Sequence, residues 1–179
     1  MNNILLTGRP GVGKTTIIKK AIEGLEAVAG GFYTEEIREG GRRVGFRIRS
    51  MAGEEGVLAH VDFPGPCRVS KYGVNIADLE RVGCGALEAA VEGAELIIMD
   101  EIGSMELYSV KFQEMVLRAL SSSVPVLGTL QAKRNEFLDG IRERGDVEIV
   151  RVTEGNRNEL ARILRGRLLR LVQIIRPDG

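Results

Sequence analysis

The segment Gly8-Arg9-Pro10-Gly11-Val12-Gly13-Lys14-Thr15 fits the pattern G-x-x-x-x-G-K-[ST] in full. Ile4-Leu5-Leu6 ahead of it reads as a buried strand, and Thr16-Ile17-Ile18-Lys19-Lys20-Ala21-Ile22 behind it as a helix. Gly8, Gly11 and Gly13 let the backbone turn tightly, so that its N–H groups converge on phosphate oxygens, and the helix start adds partial positive charge at the same point. Arg9, Pro10, Val12 and Thr16 complete the expected nucleotide-binding loop. Lys14 is expected to reach the β- and γ-phosphates and the Thr15 hydroxyl to ligate Mg2+. With 23 Gly, 6 Lys and 13 Ser plus Thr among 179 residues, chance would supply this pattern in under about one chain in a hundred.

Outward from the loop, length and composition set bounds. A chain of 179 residues is most simply one domain, spanning 1–179, with a core of ordinary size. Lys plus Arg and Asp plus Glu each total 25, so no global field draws it to nucleic acid or acidic lipid, and neither partner is expected. Cys67 and Cys84 stand too far apart for a C-x-x-C pair, which argues against a zinc site or a disulfide framework. Two reduced thiols in a cytoplasmic protein are expected. No N-terminal segment resembles a signal peptide, and Leu96-Ile97-Ile98-Met99 and Val124 to Leu130 are far too short to span a bilayer.

After the first helix the pattern turns to alternation. Gly31 to Arg38 and Val44 to Arg49 flank Glu39-Gly40-Gly41-Arg42 as a hairpin, with Val57 to Val61 as a third strand of an antiparallel insertion. Pro64-Gly65-Pro66 marks a loop. Asn75 reads as the cap of a helix over Ile76 to Val82, and a second helix, Ala86 to Glu92, follows Gly83 and Gly85. Val110 to Leu120 and Asn135 to Arg144 have helical character, while Val124 to Leu130 and Val147 to Val152 read as strands. Asn156 with Glu159 resembles a capping box opening the last helix. The apolar stripe of that helix, from Leu160 to Ile175, is expected to pack on the sheet.

Ala94-Glu95-Leu96-Ile97-Ile98-Met99-Asp100-Glu101 is an apolar run closed by two acids. A strand buried on both faces and ending in Asp is the usual second nucleotide motif, its acid holding the Mg2+ shell. Thr15 and Asp100 are therefore the expected metal residues. Glu101 is positioned to take a proton from the attacking water, which makes Lys14 and Glu101 the expected catalytic pair. Gly103 completes a D-x-x-G whose amide is a candidate γ-phosphate contact. No N-K-x-D or T-K-x-D guanine-reading motif occurs. Thr129 reads equally well as a γ-phosphate contact and as an ordinary strand-end residue. Arg38, Arg42, Arg43 and Arg47 form a basic hairpin, Arg157 is a candidate for stacking on a base, and His60 has no evident partner or role.

With these residues in hand, the chain resembles the small thermostable P-loop nucleoside-triphosphatases whose human relative is called cancer-related nucleoside-triphosphatase. The resemblance rests on Thr7-Gly8 through Thr16, Gly31 to Arg38 with Gly45-Phe46, and Tyr72-Gly73-Val74. It continues through Asp100-Glu101-Ile102-Gly103 with Met105-Glu106-Leu107, and Thr153 with Asn156-Arg157. It implies a RecA-like α/β fold: a mostly parallel sheet flanked by helices, its acidic strand separated from the loop strand. It also implies Mg2+-dependent hydrolysis of ATP, GTP, CTP and other triphosphates with little base preference. Where this family usually has lysine, the chain has Ser104. A monomer is expected. A nucleotide or small-molecule kinase, and a nucleotide-dependent switch or motor subunit, stay open as alternatives.

Overall fold

The run Ile4-Leu5-Leu6 is apolar throughout because its strand is covered on both faces. In the computed structural model, which describes residues 1–175, β1 (Asn3–Thr7) pairs in parallel with β8 (Val126–Leu130) on one side and β9 (Val147–Arg151) on the other. Beyond β8 lies β7 (Leu96–Ile102), parallel to it, and beyond that β2 (Ala29–Glu39), parallel to β7. Side chains alternate between two cores. Ile4, Leu6, Leu96, Ile98 and Leu127 meet Ile17, Ile18 and Ala21 of α1 (Lys14–Ile22) and Leu160, Leu164 and Leu168 of α6 (Arg157–Ile175). Leu5, Ile97, Met99, Val126 and Leu130 face α3 (Gly85–Gly93), α4 (Val110–Leu120) and α5 (Glu136–Arg142). Burying an aliphatic side chain of this size stabilises the fold by about 1.5–3 kcal/mol, so both faces hold their helices firmly.

The sheet order is β5-β6-β4-β3-β2-β7-β8-β1-β9. The acidic strand β7 is thus separated from the loop strand β1 by β8, as the RecA-like reading expects. The antiparallel meander of β3 (Arg42–Ser50) and β4 (Glu55–His60) is continuous with this sheet rather than a separate insertion. The link is β2, whose first half pairs with β7 while its whole length from Phe32 pairs with β3. The segment after Pro64-Gly65-Pro66 closes the edge as a small hairpin, β5 (Arg68–Val69) and β6 (Tyr72–Val74).

One helix boundary and one capping box differ from the sequence reading. Asn75 does cap α2 (Ile76–Asp78), accepting from the Asp78 N–H, but the expected break before Ala86 is absent. A π-helical turn, Leu79–Cys84, carries α2 directly into α3. Leu79, Val82 and Cys84 are buried there, and packing outweighs the roughly 1 kcal/mol that a helical glycine costs. The second difference is at α6. Its box is formed one turn earlier, where Thr153 Oγ1 accepts from Asn156 N–H and Asn156 Oδ1 accepts from Thr153 N–H. Asn156 therefore stands just before α6 with its side-chain oxygen given to Thr153, and is not free to cap Glu159.

The stripe on α6 packs on the sheet at Leu160, Leu164, Leu168 and Val172, whereas Ile163 is exposed. Among the described residues no helix is long and apolar enough to cross a membrane, and both cysteines are free. His60, without an evident partner in sequence, accepts from the Asp62 N–H through Nδ1.

Candidate active site at the phosphate loop

The loop between β1 and α1 turns on Gly13, whose φ of 109° is a conformation that a side chain would strain. α1 starts at the next residue, so the Lys14 and Thr15 side chains leave from its first turn. Lys14 is nearly buried. Its Nζ donates to Gly8 O at 3.0 Å and Arg9 O at 3.4 Å, and stands 3.8 Å from Glu101 Oε2. The remaining loop residues divide by exposure. Val12 is buried in the core, Pro10, Gly11 and Thr16 border the cavity in front of the loop, and Arg9 reaches outward to pair with Glu154.

Asp100 has the same parity along β7 as Leu96 and Ile98 and so turns toward α1. The result is a chain of three oxygen groups. Thr15 Oγ1 donates to Asp100 Oδ2 at 2.7 Å, and Thr129 Oγ1 donates to Asp100 Oδ1 at 2.7 Å. Thr129 is wholly buried and Asp100 nearly so. Burial raises the Asp100 pKa, opposed by these two hydroxyls and by Lys14. Burial also raises that of Glu101; Lys14 lowers it and Asp100 adds to the rise. The Asp100–Glu101 peptide bond is cis.

A hydroxyl beside a buried carboxylate is a hard oxygen donor set of the kind Mg2+ takes, with water and phosphate completing its shell. Among the described residues no group of three or more His, Cys, Asp or Glu is placed to hold a metal. A site of protein cage type is therefore not built here, and the two-residue pair Thr15 and Asp100 fits the ion that accompanies a nucleotide.

Two cavities flank the loop. The inner one, about 530 Å3, joins Lys14, Thr15, Asp100 and Glu101 to Arg43 and Gln131. The outer one, about 870 Å3, lies between Gly8, Arg9, Arg134, Arg151 and Thr153. Arg157 opens α6 with its stem against Gly13: a Cβ placed on that glycine would lie 3.9 Å from Arg157 Cδ. The Gly103 N–H donates to Glu106 Oε2 at 3.1 Å. Of the four hairpin arginines only Arg43 borders the inner cavity, and it is held by Glu36 and the Tyr72 hydroxyl, each at 2.9 Å. Arg38 shares Glu36, Arg47 pairs with Glu55, and Arg42 is exposed.

Two residues here had no role in the sequence reading. Glu106 is a buried acid beneath Gly103, with its pKa pushed up to about 8, first by burial and then by the charges of Glu101 and Asp100. Gln131 stands just past the end of β8. Its only sequence signal was its place two residues after Thr129.

A phosphate loop, a buried Asp at the end of a non-adjacent strand and a following Glu define a P-loop nucleotide-binding protein of RecA-like topology. Comparison takes this one step further. A protein-family model described as NTPase matches residues 3–164, and the chain belongs to that family of hydrolases. It is 52% identical over 157 residues to nucleoside-triphosphatase THEP1 of Thermotoga maritima, covering 88% of this chain and 90% of that protein. The crystal structure of THEP1 from the hyperthermophile Aquifex aeolicus superposes with a TM-score of 0.85 at 35% identity, covering 93% of this chain and 98% of that one. The solution structure of a human cancer-related nucleoside triphosphatase superposes at 0.80 and 36% identity, covering 99% and 100%.

Proposed function

We propose that the chain hydrolyses nucleoside 5'-triphosphates to diphosphate and phosphate in a Mg2+-dependent reaction with low base specificity. The observation that carries this reading is the Thr15–Asp100–Thr129 hydroxyl and carboxylate chain, set in one cavity with Lys14 and Glu101. Thr15 and Asp100 would hold the ion, which when bound supplies positive charge to the phosphate oxygens. The amides of Gly8 through Thr16 and the Lys14 ammonium bind the phosphates. Glu101 accepts a proton from the water that attacks the γ-phosphorus, and the bond to the diphosphate oxygen breaks. Burial makes Glu101 a stronger base than a solvated carboxylate, while Lys14 at 3.8 Å opposes that rise. Gly103 acts through the loop that carries Glu101, since its own amide is engaged by Glu106.

The outer cavity suits the nucleoside. Among the described residues its walls offer arginines, backbone and the Thr7 and Thr153 hydroxyls but no Asn, Gln or Asp, and its single acid, Glu154, is paired with Arg9. Arg157, beside Gly13, supplies a flat cation that stacks on any base alike. The arginine hairpin is the one candidate for a kinase lid, and of its arginines Arg38 and Arg43 are tied to Glu36 and Arg47 to Glu55, while Arg42 is exposed. The chain acts as a monomer, in the cytoplasm, without nucleic acid.

Phosphate release from ATP, GTP, CTP and UTP, with and without Mg2+, tests the reading. Wild type should act on all four within about tenfold of one another, a spread of no more than about 1.4 kcal/mol. Lys14→Ala should lose triphosphate binding. Glu101→Gln should keep it and lose about a hundredfold in turnover. Full turnover in Glu101→Gln, or transfer of phosphate to an added acceptor in place of release, would overturn it.

A further inference from the structure

The hairpin segment Gly31 to Arg38, with Gly45-Phe46, has no part in the chemistry so far. Its strands run past the metal end of the sheet. Tyr33 is level with Asp100 across the β2–β7 ladder and is the last residue of β2 to meet β7. Beyond it Glu36 pairs with Phe46 and Arg38 with Arg43. The inner cavity, about 530 Å3, follows these strands. From Lys14, Thr15, Asp100 and Glu101 it continues along Thr34, Phe46, Ser70 and Tyr72 to Arg43.

Arg43 is fixed at that far end. Its Nε donates to the Tyr72 hydroxyl and its Nη1 to Glu36 Oε1, each at 2.9 Å. Its Cζ lies 5.1 Å from the Phe46 ring centroid and 5.6 Å from that of Tyr72, and the two rings brace one another edge to face at 5.2 Å. The two hydrogen bonds use two of the five N–H groups of a guanidinium, and 42% of the side chain stays exposed. Positive charge prevails here. Glu36 is shared between Arg43 and Arg38, Glu35 is engaged by Lys19 at 3.5 Å, and Lys71 Nζ lies 5.5 Å from the Tyr72 ring centroid. The Thr34 and Ser70 hydroxyls border the same space. A guanidinium clamped flat with donors to spare, flanked by hydroxyls, is a receptor for a tetrahedral oxyanion.

Hydrolysis makes such an anion on this side of the loop. In-line displacement brings water in opposite the departing diphosphate. Glu101, which takes the proton, borders the inner cavity, so phosphate forms there while the diphosphate stays on the loop. Through its contacts with Glu36 and Phe46 the Arg43 guanidinium stands three residues past the level of Asp100, roughly 10 Å along the strand. It is thus a separate station, one step outward from the γ-position.

We propose that Arg43, oriented by Tyr72 and Glu36, is a binding site for inorganic phosphate, where the product rests after leaving the γ-position and before leaving the protein. The site rests on the hydrolysis reading above.

Equilibrium dialysis of radiolabelled inorganic phosphate against the full chain, saturated with MgADP or with the non-hydrolysable MgAMP-PNP, tests the assignment. Wild type should take up one phosphate per chain in both states, because AMP-PNP fills the γ-position and leaves the Arg43 end open. Arg43→Gln should weaken phosphate binding at least about tenfold, the scale for one charge-assisted hydrogen bond. Arg43→Lys keeps the charge without the fork and should recover part of the loss. Affinity for MgAMP-PNP should stay within about threefold in both variants, since Arg43 does not touch the loop. In turnover, added phosphate should lower kcat for MgATP in wild type with KM little changed, and Arg43→Gln should need at least about tenfold more phosphate for the same inhibition. Phosphate uptake that AMP-PNP abolishes, or that Arg43→Gln leaves unchanged, would overturn the proposal. Release of phosphate from ATP by wild type, followed alongside, tells the two levels apart. If ATP is hydrolysed while Arg43→Gln binds phosphate as wild type does, only the Arg43 site fails. If ATP yields no phosphate, the hydrolysis reading falls and the site with it.

Discussion

Replacing Glu106 with Gln removes an ionisable group from beneath the catalytic loop while leaving the loop's support in place. The Glu106 carboxyl is 5% exposed and accepts the Gly103 N–H through Oε2. The Gln side-chain oxygen can accept the same bond, so the variant differs chiefly in being unable to ionise. Burial raises the Glu106 pKa from 4.5 to about 8. A carboxyl whose folded-state pKa is raised contributes its full stability below the unfolded value and loses it as pH rises through the folded one. Each unit is about 1.4 kcal/mol, so from pH 4.5 to pH 8 this one group removes on the order of 5 kcal/mol from the wild type. Guanidinium unfolding of both proteins should show stabilities within about 1 kcal/mol of each other near pH 5. The variant should be ahead by several kcal/mol near pH 8.5. A difference that stays constant between those pH values would refute the claim that Glu106 is held neutral.

Thr129→Val preserves shape but strips Asp100 Oδ1 of its donor; because that oxygen is buried, stability should fall by about 1.5–3 kcal/mol. A loss under about 0.5 kcal/mol in chemical denaturation would mean that water reaches the carboxylate. Gly103→Ala would press a methyl group against Glu101 Oε1 and Gln131 Oε1 at 3.2 and 3.3 Å. Both are movable side-chain ends, so stability should change by under about 1 kcal/mol while kcat drops at least about tenfold at little-changed KM. An unaltered kcat would show that neither group needs its present position.

What could be foreseen and what could not divide along a physical line. The loop, its strand and its helix were legible because each carries its own local chemistry: glycines where φ is positive, an uninterrupted apolar run for a strand covered twice, a Lys-Thr pair at a helix start. Asp100 was legible for the same reason, an acid closing such a run. The course of the chain between Asn75 and Gly93 was not, because Gly83 and Gly85 signal a break locally and only packing against the sheet overrides it. The α6 box was misplaced by one turn because Thr153-x-x-Asn156 and Asn156-x-x-Glu159 overlap in sequence, and the end of β9 decides between them. Thr129, Glu106 and Gln131 were beyond sequence for a further reason. What each does depends on partners 29, 3 and 27 residues away and on β8 falling between β1 and β7, a fact of strand order. That order is also what ties the site together. It sets the hydroxyl of Thr129 against Asp100 and leaves the next side chain of that parity, Gln131, facing the place where the two nucleotide motifs converge.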